Sequence, residues 1–286
     1  MKINHTSCGV GLAIINMPIN SLEDMYNKTM AVNTNYYHDT KLFFQDLLRR
    51  GGVIQKTELN FAPIVASVFI SPDKHYEILG TFDKINNNFT NIGYSFPQQS
   101  IYHEHLLEPL DKLLTHLAQK GYYGYLDVNM YADSQKNVFF ERTQCYLTKL
   151  TASLFYFRYL MGGRFENNGK YTTNVTETIN FDETGKTQPL EKLETRTYIY
   201  SPFIMHFGLS QAQIKNFFQL CRIEGVSFDL ERKYGSTFIL IDSLKSAIGL
   251  LTTGRNTRAS VKLMTATLAF LIKQNQKIAN DPTREK

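Results

Sequence analysis

The 286-residue sequence predicts an α+β fold in which a larger unit is followed by a smaller α/β module appended at the C-terminus. Three observations predict it. Leu106, Leu107, Leu110, Leu113, Leu114 and Leu117 form one face of a helix over 98–120. Two β-rich runs, Tyr122–Tyr131 and Asn137–Glu141, flank a polar five-residue turn and read as a hairpin. The stretch 164–194 then turns polar, and beyond it short strands alternate with two helices. The implied division is 1–163, an extended polar arm over 164–194, and a module over 195–286.

In order, Met1–Ile3 is the stub of a strand, and a glycine-containing loop follows over 5–11 before a second apolar run, Leu12–Met17. Between 21 and 50, Leu22, Met25, Tyr26, Met30, Leu42, Phe43 and Leu47 recur at helical spacing in two sets. Ser21 with Asp24 serves as an N-cap and Gly51-Gly52 as a stop, so two helices are expected. Strands over 53–59, 65–71 and 76–82 make an antiparallel meander, and the Asn-rich 86–96 reads as irregular. After the 98–120 helix and the hairpin comes the apolar, aromatic run Thr151–Met161, closed by Gly162-Gly163. The arm over 164–194 carries turn signals at Asn167-Asn168-Gly169 and Asp182-Glu183-Thr184-Gly185, and is expected as a long surface loop with Phe165, Tyr171 and Phe181 as anchors for a partner. The last region gives strands over 195–200, 203–206, 226–230, 236–242 and 247–252. Its helices span 210–224, capped by Ser210, and 256–276, with Val261, Leu263, Met264, Leu268, Leu271 and Ile272 buried.

The hairpin carries the most chemistry. Asp127 and Glu141 each follow an apolar run on neighbouring strands, which is how a sheet presents two carboxylates to one site. Such a pair holds Mg²⁺ against nucleotide phosphates, since that hard cation takes oxygen ligands. Equally, strand acids are often simply solvent-facing. Lys2 followed by a loop with Ser7, Gly9 and Gly11 offers a cation and close backbone approach to a phosphate, or an ordinary turn between strands.

Composition narrows the field. A net charge of +5 spread along the chain does not make the clustered basic face that nucleic acid requires. Cys8, Cys145 and Cys221 are widely spaced, implying neither a disulfide framework nor a zinc site and favouring a reducing compartment. No run approaches the ~18 apolar residues of a membrane helix, and the start has no signal-peptide core. A cytoplasmic protein, or one attached to a cytosolic assembly, is expected.

The order strand, glycine loop, helices, meander, long helix and acidic hairpin resembles the ATP-grasp family, whose fold clamps ATP and two Mg²⁺ for carboxylate activation. Gly121-Tyr122-Tyr123-Gly124-Tyr125-Leu126-Asp127-Val128 is similar to the family's G-x-x-G-x-x-D-[FV] strand. Phe140-Glu141-Arg142-Thr143-Gln144 stands where the family has E-x-N followed shortly by an arginine. The segments 217–229, 235–240 and 249–252 resemble the C-terminal region of the IQ-motif-containing protein H family, which is associated with motile cilia and sperm flagella. The resemblance implies Lys2, Ser7, Gly9 and Gly11 as the nucleotide-phosphate site and Asp127 and Glu141 as metal ligands. It implies Mg²⁺ and ATP as cofactors, other axonemal proteins as partners, and an axonemal location in a cilium or flagellum.

Three positions depart from that pattern. Thr143 replaces the metal-bridging Asn, Cys145 replaces the arginine that steadies the transferred phosphoryl group, and Gln55-Lys56 stand where an acid meets the ribose or adenine. The resemblance begins inside the first nucleotide-binding strand, so the fold is expected to be an incomplete ATP-grasp-like one, with a second chain supplying a missing N-terminal half. Two functions follow from different classes: a non-catalytic scaffold of the axoneme that keeps the fold and its nucleotide site, and an active ATP-dependent carboxylate–amine ligase.

Overall fold

Buried residues run almost unbroken along 64–70 and 126–132, the mark of strands covered on both faces. The computed structural model describes residues 1–4, 11–32, 36–54, 61–87, 90–181, 187–205, 214–239 and 247–279. The chain divides into two compact units, 1–60 with 85–92, and 61–84 with 93–286.

The first unit holds β1 (Lys2–Ile3), β2 (Ala13–Ile15), α1 (Leu22–Lys28), β3 (Thr29–Ala31), α2 (Thr40–Arg50) and β4 (Gly52–Val53). β1 pairs antiparallel with β4, and β2 with β3. The Ser21 hydroxyl accepts from the Asp24 N–H at 3.0 Å, making the expected N-cap. Ile3, Ala13, Ala31, Tyr37, Phe43 and Phe44 are its buried centre. The short β3 between the two helices is not legible from periodicity.

The second unit is built on one eight-stranded sheet. Its strands are β5 (Ala62–Ile70), β6 (Tyr76–Asn87), β7 (Thr90–Phe96), β8 (Gly124–Ala132), β9 (Val138–Gln144), β13 (Thr197–Met205), β14 (Gly235–Ile239) and β15 (Ala247–Gly254), in the order β14-β15-β13-β7-β6-β5-β8-β9. Ile64, Ala66, Val68 and Ile70 of β5 and Leu126, Val128 and Met130 of β8 point to one face. There Leu106, Leu110, Leu114 and Ala118 of α3 (His103–Gln119) cover them. Each fully buried leucine contributes roughly 1.5–3 kcal/mol. Val65, Phe82, Phe96, Tyr198, Tyr200 and Leu251 point to the other face and meet Leu150, Leu154, Phe157 and Met161 of α4 (Lys149–Met161). The described residues of 86–96, expected as irregular, complete β6 and supply β7.

Two expectations about domain organisation are corrected. Among the described residues, the strands of 195–286 form no sheet of their own: β13 pairs with β7 through Tyr198–Phe96, Ile199–Ser95 and Tyr200–Tyr94, and β15 and β14 extend the same sheet. α5 (Ile214–Ile223) and α6 (Thr257–Ala279) complete this part, and the proposed cap Ser210 lies outside the described residues. α6 packs on β13, β14 and β15 through small hydroxyls, with Thr197 to Ser260 at 2.9 Å and Ser236 to Thr267 at 2.7 Å. Leu263, Met264 and Leu271 of α6 are buried as expected, whereas Val261 and Ile272 face out and Phe270 takes a core place instead.

Nor do the described residues of 164–194 form a loop. β10 (Arg164–Phe165), β11 (Tyr171–Phe181) and β12 (Thr187–Thr195) make a three-stranded antiparallel sheet with a long hairpin. Tyr171, Thr173 and Val175 alternate inward at its base, and the Tyr171 hydroxyl accepts from the Gly163 N–H at 3.1 Å. Phe165 and Tyr171, expected as partner anchors, pack instead against Phe96. The Phe181 side chain lies outside the described residues.

Gly163 permits this docking, since a Cβ there would lie 2.1 Å from the Thr172 carbonyl oxygen, and backbone cannot step aside as a flexible side chain does. Gly163→Ala is expected to destabilise by about 2–3 kcal/mol, read as a lower urea midpoint. An unchanged midpoint would mean that the hairpin base does not sit where described.

Candidate functional site

Period-two alternation on β8 puts Asp127, Asn129 and Tyr131 on the face that α4 covers. β8 and β9 pair Asp127 with Gln144, Val128 with Thr143 and Asn129 with Arg142, and then the register shifts so that Met130 faces Phe140. Glu141 is the extra residue of that β-bulge. Strict alternation would set Glu141 on the α3 side. The bulge turns it back, and Lys84 Nζ of β6 reaches its Oε2 at 3.3 Å while lying 5.8 Å from the centre of the Tyr131 ring. Both predicted carboxylates therefore occupy neighbouring strands and one face of the sheet.

Their surroundings differ. Asp127 is 1% exposed. Its Oδ1 accepts from Ser67 of β5 at 2.5 Å and from Thr151 at 3.1 Å, and its Oδ2 accepts from Thr148. The same Thr148 hydroxyl caps α4 by accepting from the Leu150 and Thr151 N–H groups. Burial raises the Asp127 pKa above the usual carboxylate range, and the three donated hydroxyls act in the opposite direction. Tyr94 on β7 is pushed up to about 12, first by burial and then by the charge of Asp127.

Glu141 sits in a more open row. Lys84, with 9% of its side chain exposed, pairs with it, and Tyr131 is raised to about 12 by burial and by the Glu141 charge. Asn129 Nδ2 donates to Gln144 Oε1 at 3.2 Å, and Gln144 Nε2 donates to the Tyr146 hydroxyl at 2.8 Å. Arg142, paired opposite Asn129, completes a row of two cations, one carboxylate and two amides.

The register changes how the acidic motif reads. Thr143 lies opposite Val128 on the α3 side, so it does not occupy the metal-bridging place predicted for position 143. The bulge advances the pattern by one residue, and Gln144 is the amide that shares a face with Glu141 and Asp127. The exposed Cys145 follows it.

Lys2 and Gly11, the other predicted phosphate residues, belong to the first unit. Lys2 bridges to Leu12, the Ile3 N–H donates to the Gly11 carbonyl at 2.8 Å, and Gly11 adopts φ 76°, so the two ends of the loop meet. Ser7 and Gly9, with Gln55 and Lys56, lie outside the described residues. Sequence reasoning missed Lys84, Ser67 and Thr148. Lys84 is in phase with core-facing Phe82, and Ser67 interrupts an apolar strand, two signals that a buried polar partner is required.

The described donor set makes no preformed metal cage. Among the described residues no three His, Cys, Asp or Glu side chains gather in a group able to hold a metal ion. Asp127 spends its lone pairs on three hydroxyls and Glu141 is matched by Lys84, so neither stands as an open Mg²⁺ ligand. Lys84 and Arg142 offer the opposite charge to the same face. Among the described residues, no helix is long and apolar enough to cross a membrane.

Comparison with known proteins adds the following. Residues 12–166 match the family described as "IQCH-like, ATP-grasp". Among solved structures, the biotin carboxylase domain dimer of Hydrogenobacter thermophilus 2-oxoglutarate carboxylase, in complex with MgADP, ADP and bicarbonate, is 12% identical with a TM-score of 0.52, over 94% of this chain and 55% of that one. A biotin carboxylase–beta-gamma-ATP complex from Campylobacter jejuni is 9% identical with a TM-score of 0.47, over 80% and 50%. The phosphoribosylaminoimidazole carboxylase ATPase subunit from Aquifex aeolicus is 10% identical with a TM-score of 0.45, over 76% and 58%. The chain spans about half the length of the solved chains it matches.

Proposed function

Because this chain belongs to the IQCH-like ATP-grasp family and has an α+β ATP-grasp-like fold, we propose that it is a non-catalytic, nucleotide-binding scaffold of the ciliary or flagellar axoneme. One observation carries the non-catalytic part: Asp127, the carboxylate matched to the family's motif, is consumed by Ser67, Thr148 and Thr151 and serves to join β5, β8 and α4. A bound ATP supplies a polyphosphate, for which Lys84 and Arg142 provide charge, and Mg²⁺ enters with the nucleotide rather than through a preformed protein cage. The axonemal location rests on the family's ciliary association, and the partners are other axonemal proteins.

The active carboxylate–amine ligase is the second reading. It is favoured by the bulge that brings Glu141 and Gln144 onto the face of Asp127. The two separate in one assay on the whole chain. Mg–ATP is expected to raise Tm through RT ln(1 + [L]/Kd), Lys84→Met to abolish the rise, and phosphate release to stay at the blank. ATP turnover lost in Glu141→Gln would establish the ligase instead, and a Tm indifferent to Mg–ATP would remove nucleotide binding altogether. Retention with detergent-extracted axonemes tests the location.

A further inference from the structure

Of the two carboxylates that the family resemblance assigns to Mg²⁺, Glu141 already has a cation. Lys84 Nζ lies 3.3 Å from Glu141 Oε2, although the sheet order β6-β5-β8-β9 sets two strands between their own. The ammonium reaches over the face to within 5.8 Å of the centre of the Tyr131 ring on β8. Only 9% of the Lys84 side chain and 20% of that of Glu141 are exposed. At that depth each charge depends on the other, because an ion taken out of water without a partner is costly.

Asp127, the other carboxylate, is unfit for the metal on separate grounds. The hydroxyls of Ser67, Thr148 and Thr151 all donate to it, so their protons point where a metal would have to sit. The Gln144 amide oxygen, on the same face, accepts from Asn129 Nδ2 at 3.2 Å. Mg²⁺ demands near-octahedral oxygen ligands at about 2.1 Å and gives up its own water reluctantly. Seating it here would break the joint that the three hydroxyls make between β5, β8 and α4. It would also set a doubly charged ion against the Lys84 ammonium across one carboxylate, where like charges repel strongly in a half-buried site.

Building on the nucleotide-binding reading above, we infer that Lys84 is the resident cation of this face in place of a protein-held Mg²⁺, so that the chain binds the polyphosphate of a nucleotide without requiring a divalent metal. A lysine ammonium is a point charge that serves a phosphate as well as a carboxylate. Glu141 fixes its position, and Arg142, opposite Asn129, brings a second positive charge to the same face. The bulge at Glu141 thus has a role without metal: it turns the carboxylate to the side on which Lys84 stands.

The test titrates the whole chain with ATP by calorimetry, once in excess EDTA and once in excess Mg²⁺. The two affinities are expected to agree to within about threefold. Lys84→Met should lose at least tenfold in either buffer, whereas Lys84→Arg, which keeps the charge, should still bind in EDTA. Wild-type binding at least tenfold weaker in EDTA than in Mg²⁺ would overturn the inference and leave the nucleotide-binding reading standing, while no binding in either buffer would overturn both. Undiminished affinity of Lys84→Met would remove the ammonium from the site. Should that variant fail to fold, as its urea midpoint would show, the wild-type comparison in the two buffers still decides. A second arm needs no nucleotide: Mn²⁺ alone is titrated and followed by electron paramagnetic resonance. No uptake at Glu141 is expected, and saturable uptake that Glu141→Gln abolishes would show that this carboxylate takes a metal in spite of Lys84, against the inference.

Discussion

Replacing Arg196 with methionine is expected to destabilise the protein by about 3–5 kcal/mol, because it breaks a buried ion pair from one side. The guanidinium is fully buried, with 0% of its side chain exposed. Its Nε donates to the Lys233 carbonyl at 2.9 Å and its Nη2 to the Arg232 carbonyl at 2.8 Å. Its Nη1 donates to Glu194 at 2.6 Å and to the Thr195 carbonyl at 2.9 Å. Methionine fills much of the volume but leaves these acceptors without donors. Lysine retains charge yet cannot reproduce a fork that serves three directions at once, so Arg196→Lys should recover less than half of the loss. The damage spreads through Lys233, whose Nζ caps the last carbonyls of α4, at 3.1 Å from Leu160 and 3.0 Å from Met161.

Acid adds a signature. The hydrogen bond from Arg196 holds Glu194 below its ordinary range, with the charges of Arg196, Arg255 and Lys192 assisting. A carboxylate depressed in the folded state contributes stability above its unfolded pKa, about 4.3, and loses it as pH falls through the folded value. The wild type should therefore lose stability more steeply than Arg196→Met when pH is lowered below about 4.5. Parallel pH profiles in urea melts would show that the pair makes no such contribution.

The second large effect is expected at Asp127. Asp127→Ala strands the hydroxyls of Ser67, Thr148 and Thr151, two of them in fully buried side chains, and should destabilise by about 3 kcal/mol. Asp127→Asn keeps one acceptor and should lose about half as much. The discriminating condition is EDTA. A joint between β5, β8 and α4 fails equally with and without Mg²⁺, whereas a metal ligand would show its loss chiefly when Mg²⁺ is present. Full wild-type stability of Asp127→Ala in EDTA would return this carboxylate to the catalytic reading.

How much of this was legible in the sequence depended on the range of the interaction. α3 declared itself through six leucines on one face, and β8 and β9 through a turn between two apolar runs, because those signals are local. The 164–194 hairpin was hidden by composition: Tyr171, Thr173 and Val175 alternate inward, but threonine reads as polar although it is β-branched and suits a strand. The pairing of β13 with β7 joins residues about a hundred positions apart, and nothing in either segment names the other. At the site, Asp127 and Glu141 were found as a pair on neighbouring strands. Asp127's true partners come from Ser67 on another strand and from a helix cap, so its structural task became visible only in three dimensions.

The bulge at Glu141 gives the acidic hairpin a dependence on count as well as identity. Deleting Phe140 alone would keep both acids and Gln144 of the motif. It would nevertheless restore strict alternation and reassign the acid to the side of the sheet occupied by α3. The two-carboxylate face can thus be lost through a single in-frame deletion, with no substitution at either acid. An aligned column of glutamates would not reveal the change, but the number of residues between Asp127 and Glu141 together with that between Glu141 and Thr148 would.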